Sequence, residues 1–105
     1  MRKWFVRDRD GHEIYLTAEQ WQHIVSGHNE LRNHREDVLN TVRRGKRQQK
    51  PLDPKAYVYR LVCDTLRPPF NGILVLVTFH VEQDENDMAM TNNFIVTAWG
   101  IMMRR

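Results

Sequence analysis

The chain has 105 residues, of which 41% are hydrophobic and 28% charged. That is the composition of one small domain, 1–105, and it excludes a two-lobed nucleotide-cofactor enzyme of the doubly wound kind. The net charge is +3, but seven bases between Arg32 and Lys50 face only Glu36 and Asp37, while Glu82, Asp84, Glu85 and Asp87 cluster elsewhere. This predicts a basic side and an acidic loop.

The chain opens on Met1-Arg2-Lys3, with a short apolar stretch and then charges, which does not read as a secretory signal. Residues 3–7 and 13–16 read as the arms of a β-hairpin turning at Asp10-Gly11. Thr17-Ala18-Glu19-Gln20 fits a capping box that opens a helix. Trp21, Ile24, Val25 and His28 recur on one face of it, and Gly27 lies near its end. A second helix is expected over residues 34–44, with Asn33 and Glu36 as a second capping pair, a stripe of Val38, Leu39 and Val42, and Gly45 as its stop. Residues 46–54 then read as a polar loop bounded by proline.

Beyond Ala56 the pattern is that of strands. Residues 57–63 are β-branched and aromatic, and 73–81 are nearly continuous in apolar side chains, as a central strand buried on both faces would be. No apolar run approaches the roughly 18 residues of a membrane span. Pro68-Pro69 and Asn71-Gly72 mark a turn, 82–93 reads as an acidic loop, and 94–101 as the last strand. The expected fold is α+β: the hairpin and two helices packed on a curved, mostly antiparallel sheet of three to four strands. Cys63, the single cysteine, cannot make an internal disulfide or a multi-cysteine zinc site, and its usage fits a reducing cytoplasm.

Strand parity places Arg60, Thr78, His80, Thr97 and Trp99 on one sheet face. A cation, hydroxyls, an imidazole and an indole there suit a phosphate and a stacked base; a plainly solvated face is the alternative. Arg43, Arg44, Lys46 and Arg47 are candidate phosphate contacts, or simply a solvated face. His28 lies on the apolar helix face, where it is either a hydrogen-bonded core residue or a general acid or base. His23 and His28 are five residues apart, about 140° around a helix, so they do not share a metal. No metal-ligand spacing, P-loop, GxGxxG or nucleophile elbow occurs, and no metal or cofactor is expected.

Trp21-Gln22-His23-Ile24 followed by His28-Asn29-Glu30-Leu31 resembles the W-x-H-I-x-x-x-H-P-E-L helix of small phage- and mobile-element-associated domains. These belong to the barnase–EndoU–colicin–RelE-like (BECR) ribonuclease superfamily. Tyr57-Val58-Tyr59-Arg60 resembles their first sheet strand, Leu74-Val75-Leu76-Val77 their central strand, and Phe94-Ile95-Val96-Thr97-Ala98-Trp99 their closing F-V-V-T-A-Y strand. The resemblance spans roughly residues 14–101. It implies a RelE-like fold and a metal-independent, toxin-like endoribonuclease, with RNA as substrate and an antitoxin or immunity protein as partner. In that chemistry the 2′-hydroxyl attacks the adjacent phosphate, so a base, an acid and a cation are needed.

His28, Arg60 and Thr97 match motif positions and are the implied catalytic set, with Glu30, Tyr59 and His23 behind them. Tyr59 and Trp99 join Arg43, Arg44, Lys46 and Arg47 as expected substrate contacts. The chain departs from the pattern at Asn29 in place of proline, at Gly45-Lys46-Arg47 in place of Asn-Pro, and at Ile101-Met102-Met103, where polar residues are usual. These departures keep open a second expectation, a non-catalytic RNA- or protein-binding module on the same fold.

Overall fold

A computed structural model of the chain describes residues 2–104. The strands are β1 (Lys3–Arg7), β2 (Glu13–Thr17), β3 (Lys46–Lys50), β4 (Asp53–Val62), β5 (Gly72–Gln83) and β6 (Ala89–Ile101); the helices are α1 (Ala18–Gly27) and α2 (Arg35–Arg44). A single 3-10 turn, Asn29–Leu31, joins the helices. The fold is α+β, as the patterning predicts, but the sheet is larger. All six strands form one sheet in the order β1-β2-β6-β5-β4-β3, antiparallel except for a parallel bridge between Tyr15 and Phe94.

Two segments expected to be loops are strands. Residues 46–50 pair with β4 as an edge strand of Lys, Arg and Gln, whose charge suits an edge exposed to water. Residues 82–93 extend β5 and β6 into a long hairpin with register as far as Gln83 and Ala89. Hydrophobic patterning misses both, because neither buries an apolar face. At the first hairpin, Gly11 takes φ 88°, but the loop spans residues 8–12 and is held by Asp8 Oδ1, which accepts from the N–H groups of Asp10 and His12.

Local capping follows the sequence in part. Thr17 Oγ1 accepts from Gln20 N at 3.0 Å. The Gln20 amide does not return to the cap; it donates to the carbonyl of Val96 and ties α1 to the outer edge of β6. His34, not Asn33, is the N-cap residue of α2, and Asn33 adopts φ 69°, a left-handed conformation that asparagine tolerates.

Both helices cover one face of the sheet. Trp21 and Ile24 of α1, Leu31, and Val38, Leu39 and Val42 of α2 pack on Ile14, Leu16, Tyr59, Ile73, Val75, Val77, Ile95 and Ala98. A register shift between Leu76 and Val77 sets Val75 opposite Ala98 but Val77 opposite Ile95. This bulge brings both Ile95 and Ala98 to the covered face, which simple alternation cannot do. The central strand is therefore covered on one side only: Ile73, Val75 and Val77 are buried, whereas Leu74 and Leu76 on the other side are half-buried.

The end of α2 lies against β4 at Gly45. A Cβ there would overlap the carbonyl oxygen of Thr41 and come within 2.7 Å of that of Arg60, both fixed backbone atoms. Gly45→Ala should destabilise the protein by about 1–3 kcal/mol, the cost of forced overpacking. A Cβ at Gly27 meets nothing within 4 Å. Gly27→Ala is thus the control, expected to be neutral or slightly stabilising in urea denaturation.

Candidate nucleic-acid interface

The sheet face away from the helices is uncovered, and register defines what it carries. Lys46 pairs with Arg60, Arg60 with Leu74 and Leu74 with Trp99, so these four form one cross-strand row. Gln48, Val58, Leu76 and Thr97 form the next. Farther along, Phe5, Tyr15 and Phe94 line up across three strands, with successive ring centroids 6.0 Å apart. Lys3 Nζ stands 4.4 Å over the Tyr15 ring, and the Tyr15 hydroxyl donates to Asn92 Oδ1. Phe5 is 58% exposed, an unusual position for a large aromatic side chain.

Arg60 and Lys46 are like charges facing each other across a strand pair, which disfavours the pairing. Among the described residues neither makes an ion pair. Both line a shallow cavity of about 270 Å³ with Arg47, Gln48, Val58 and Leu74. An anion held there would remove the repulsion.

His28 caps the C-terminus of α1, its N–H donating to the Ile24 carbonyl at 2.8 Å. Its ring is 6.2 Å from that of Trp99, and its Nδ1 is 3.7 Å from Glu30 Oε2. Glu30 is itself fixed, accepting from Gly100 N at 2.9 Å on the edge of β6. His28 is thus a half-buried side chain at the rim of the open face. Thr97 and Arg60 lie on that face, with Arg60 two strand spacings, about 10 Å, from Trp99 across Leu74. His23 is exposed on α1.

Four expected substrate contacts are placed elsewhere. Tyr59 is 1% exposed in the core, and its hydroxyl donates to Asp8 Oδ2 at 2.6 Å. Arg47 points to the covered side, 3.2 Å from Asp10 and stacked over Tyr57 at 4.3 Å. Each is one residue from its neighbour on the open face, Arg60 and Lys46, because adjacent strand residues face opposite sides. Arg43 and Arg44 are exposed on the last turn of α2, not on the sheet.

One polar cluster had no signal in the sequence beyond an acid before a turn. Asp8 is buried at the hairpin tip, where its carboxylate meets Tyr59 and His12 Nδ1, the latter at 3.0 Å. Burial pushes the Asp8 carboxyl up, but the Tyr59 hydroxyl and the His12 backbone and ring outweigh it and hold it below the usual carboxylate range. The Tyr59 hydroxyl is pushed up by burial and by the Asp8 carboxylate.

No family model, curated protein or solved structure matches this chain.

With its carboxyl lowered in the folded state, Asp8 contributes stability above the unfolded carboxylate range that is lost as pH falls through the lowered value. Asp8→Ala leaves the Tyr59 hydroxyl and the loop N–H groups without their acceptor. It should cost about 1–3 kcal/mol at neutral pH. Denaturation between acid and neutral pH should show the variant losing less stability on acidification than the wild type.

Proposed function

We propose that this chain is a small endoribonuclease that binds single-stranded RNA across the open face of its sheet. The observation that carries this reading is the uncompensated Arg60–Lys46 pair on the same uncovered face as the Phe5–Tyr15–Phe94 row and Trp99. Aromatic rings on an open sheet accept stacked bases of any sequence, and the cations take the phosphates between them.

Cleavage needs a proton acceptor, a proton donor and a cation near one phosphate. His28 is the candidate acid or base, beside Trp99 and with Glu30 Oε2 3.7 Å from its Nδ1. Arg60, about 10 Å from Trp99 across Leu74, answers the charge on the phosphorane by extending its side chain over Leu74 toward the His28 rim, and Thr97 is a hydroxyl that positions the phosphate. The 2′-hydroxyl is the nucleophile, so the products are a 2′,3′-cyclic phosphate and a 5′-hydroxyl. No metal takes part in this scheme. A toxin-like domain of this kind would be held in check by an antitoxin or immunity protein covering the same face.

A second reading keeps the RNA and drops the cleavage. It is favoured by Leu74 and Leu76, which fill the centre of the face between Arg60 and the His28 rim. Gly100-Ile101-Met102-Met103 also adds no hydroxyl or amine after Trp99.

Fluorescence anisotropy with labelled single-stranded RNA, and cleavage assays in chelator, separate the two readings. The wild type should bind RNA with affinity falling steeply in salt, and Lys46→Ala with Arg60→Ala should flatten that slope. His28→Ala should cut more slowly by about 10²–10⁴-fold while still binding. Binding without cleavage by the wild type would select the second reading, and no binding at low salt would defeat both.

A further inference from the structure

Among the described residues, two trios of metal-ligating side chains converge in space. One is Asp8, Asp10 and His12 at the hairpin tip. Its capacity is already spent: Asp8 accepts from two backbone N–H groups, His12 Nδ1 and the Tyr59 hydroxyl, and Asp10 is paired with Arg47.

The other trio is His34, Asp37 and Cys63, each offering one ligand atom within 4.8 Å of the others. Two elements bring it together, the start of α2 and the end of β4. His34 is the N-cap residue of α2 and Asp37 lies in its first turn, with His34 Nδ1 2.8 Å from Asp37 Oδ2. Cys63 follows the end of β4 and is held by its N–H, which donates to the Asn71 carbonyl at 2.9 Å. The Thr65 hydroxyl stands between them, 3.4 Å from Cys63 Sγ and 3.3 Å from Asp37 Oδ2. A cavity of about 800 Å³, lined by Glu30, Arg32, His34, Thr65, Arg67 and Phe70 among others, lies alongside.

We propose that His34, Asp37 and Cys63 form a mononuclear zinc site whose fourth position opens to this cavity. The ligand set decides the class of ion. A thiolate and an imidazole select zinc or cobalt over magnesium and calcium, which take oxygen alone. Tetrahedral zinc with bonds near 2.0–2.3 Å needs ligand atoms about 3.3–3.8 Å apart, so the metal takes the place of the 2.8 Å His34–Asp37 hydrogen bond, which opens as it enters, while all three ligand atoms already lie within 4.8 Å of one another. Charge also balances: one thiolate and one carboxylate offset a divalent cation, with His34 neutral. On binding, the Cys63 thiol gives its proton to solvent and its sulfur bonds the metal. Thr65 is then a hydrogen-bond donor to the thiolate or carboxylate, the usual support around such ligands. The inference does not rest on the RNA reading, because none of the three ligands lies on the open sheet face.

Cobalt is the probe, added to the purified full chain after chelator treatment. One equivalent should produce a thiolate-to-cobalt charge-transfer band, and zinc should displace it. Cys63→Ser should abolish the band, and His34→Ala should weaken cobalt binding at least tenfold, with circular dichroism confirming that both variants fold. An independent measure uses the wild type alone: zinc should slow alkylation of Cys63 at least tenfold. The proposal is overturned if the folded wild type gives no band in excess cobalt. It is equally overturned if zinc leaves alkylation unchanged, or if binding survives His34→Ala and is lost in His12→Ala.

Discussion

The hydrogen bond from the buried Tyr59 hydroxyl to Asp8 closes the fold. In the sheet order, β1 and β4 are separated by three strands, a span of about 19 Å measured along a flat sheet. A tyrosine side chain bridges that span only if the sheet curls. The contact therefore reports strong curvature around α2, whose stripe of Val38, Leu39 and Val42 fills the hollow. Two further contacts support the closure: Arg47 with Asp10, and His12 edge-on to Phe79 at 5.1 Å. The polar groups at the tip have partners, so burying them costs little.

Closure on one side leaves the other side bare. The helices, the hairpin tip and Arg47 are all occupied with the inner face, and none is left to cover the outer one. Phe5, Tyr15, Phe94 and Trp99 consequently line a surface where folding alone gives no reason for aromatic side chains. Arg60 and Lys46 add a repulsion that folding alone does not relieve. A surface that costs stability in this way is best explained by what it binds.

The α+β class, both helices, the hairpin arms and the side of the sheet holding Arg60, Thr97 and Trp99 were legible in the sequence, because each rests on apolar periodicity. The extra strands were not. Residues 46–50 pair through backbone groups alone, and their Lys-Arg-Gln-Gln-Lys pattern carries no apolar signal. The bulge beside Val77 escaped for a different reason: parity counting assumes an unbroken register. At the candidate interface, parity separated Arg60 from Tyr59, but motif matching had put Tyr59 among the substrate contacts; its burial shows a core residue. The Asp8–His12 and His34–Asp37 pairs are local, but each becomes a cluster only through a residue far along the chain, Tyr59 or Cys63, which no local spacing announces.

RNA binding by the outer sheet face, as proposed, has a direct spectroscopic signature. Backbone and side-chain NMR of the labelled protein, titrated with a short single-stranded RNA at low salt, tests it most directly. With RNA on the outer face, shifts should concentrate at Phe5, Tyr15, Arg60, Phe94, Thr97 and Trp99, with α2 and the inner core unchanged. Shifts confined to Arg43, Arg44 and the helical side, or no shifts at all, would contradict it.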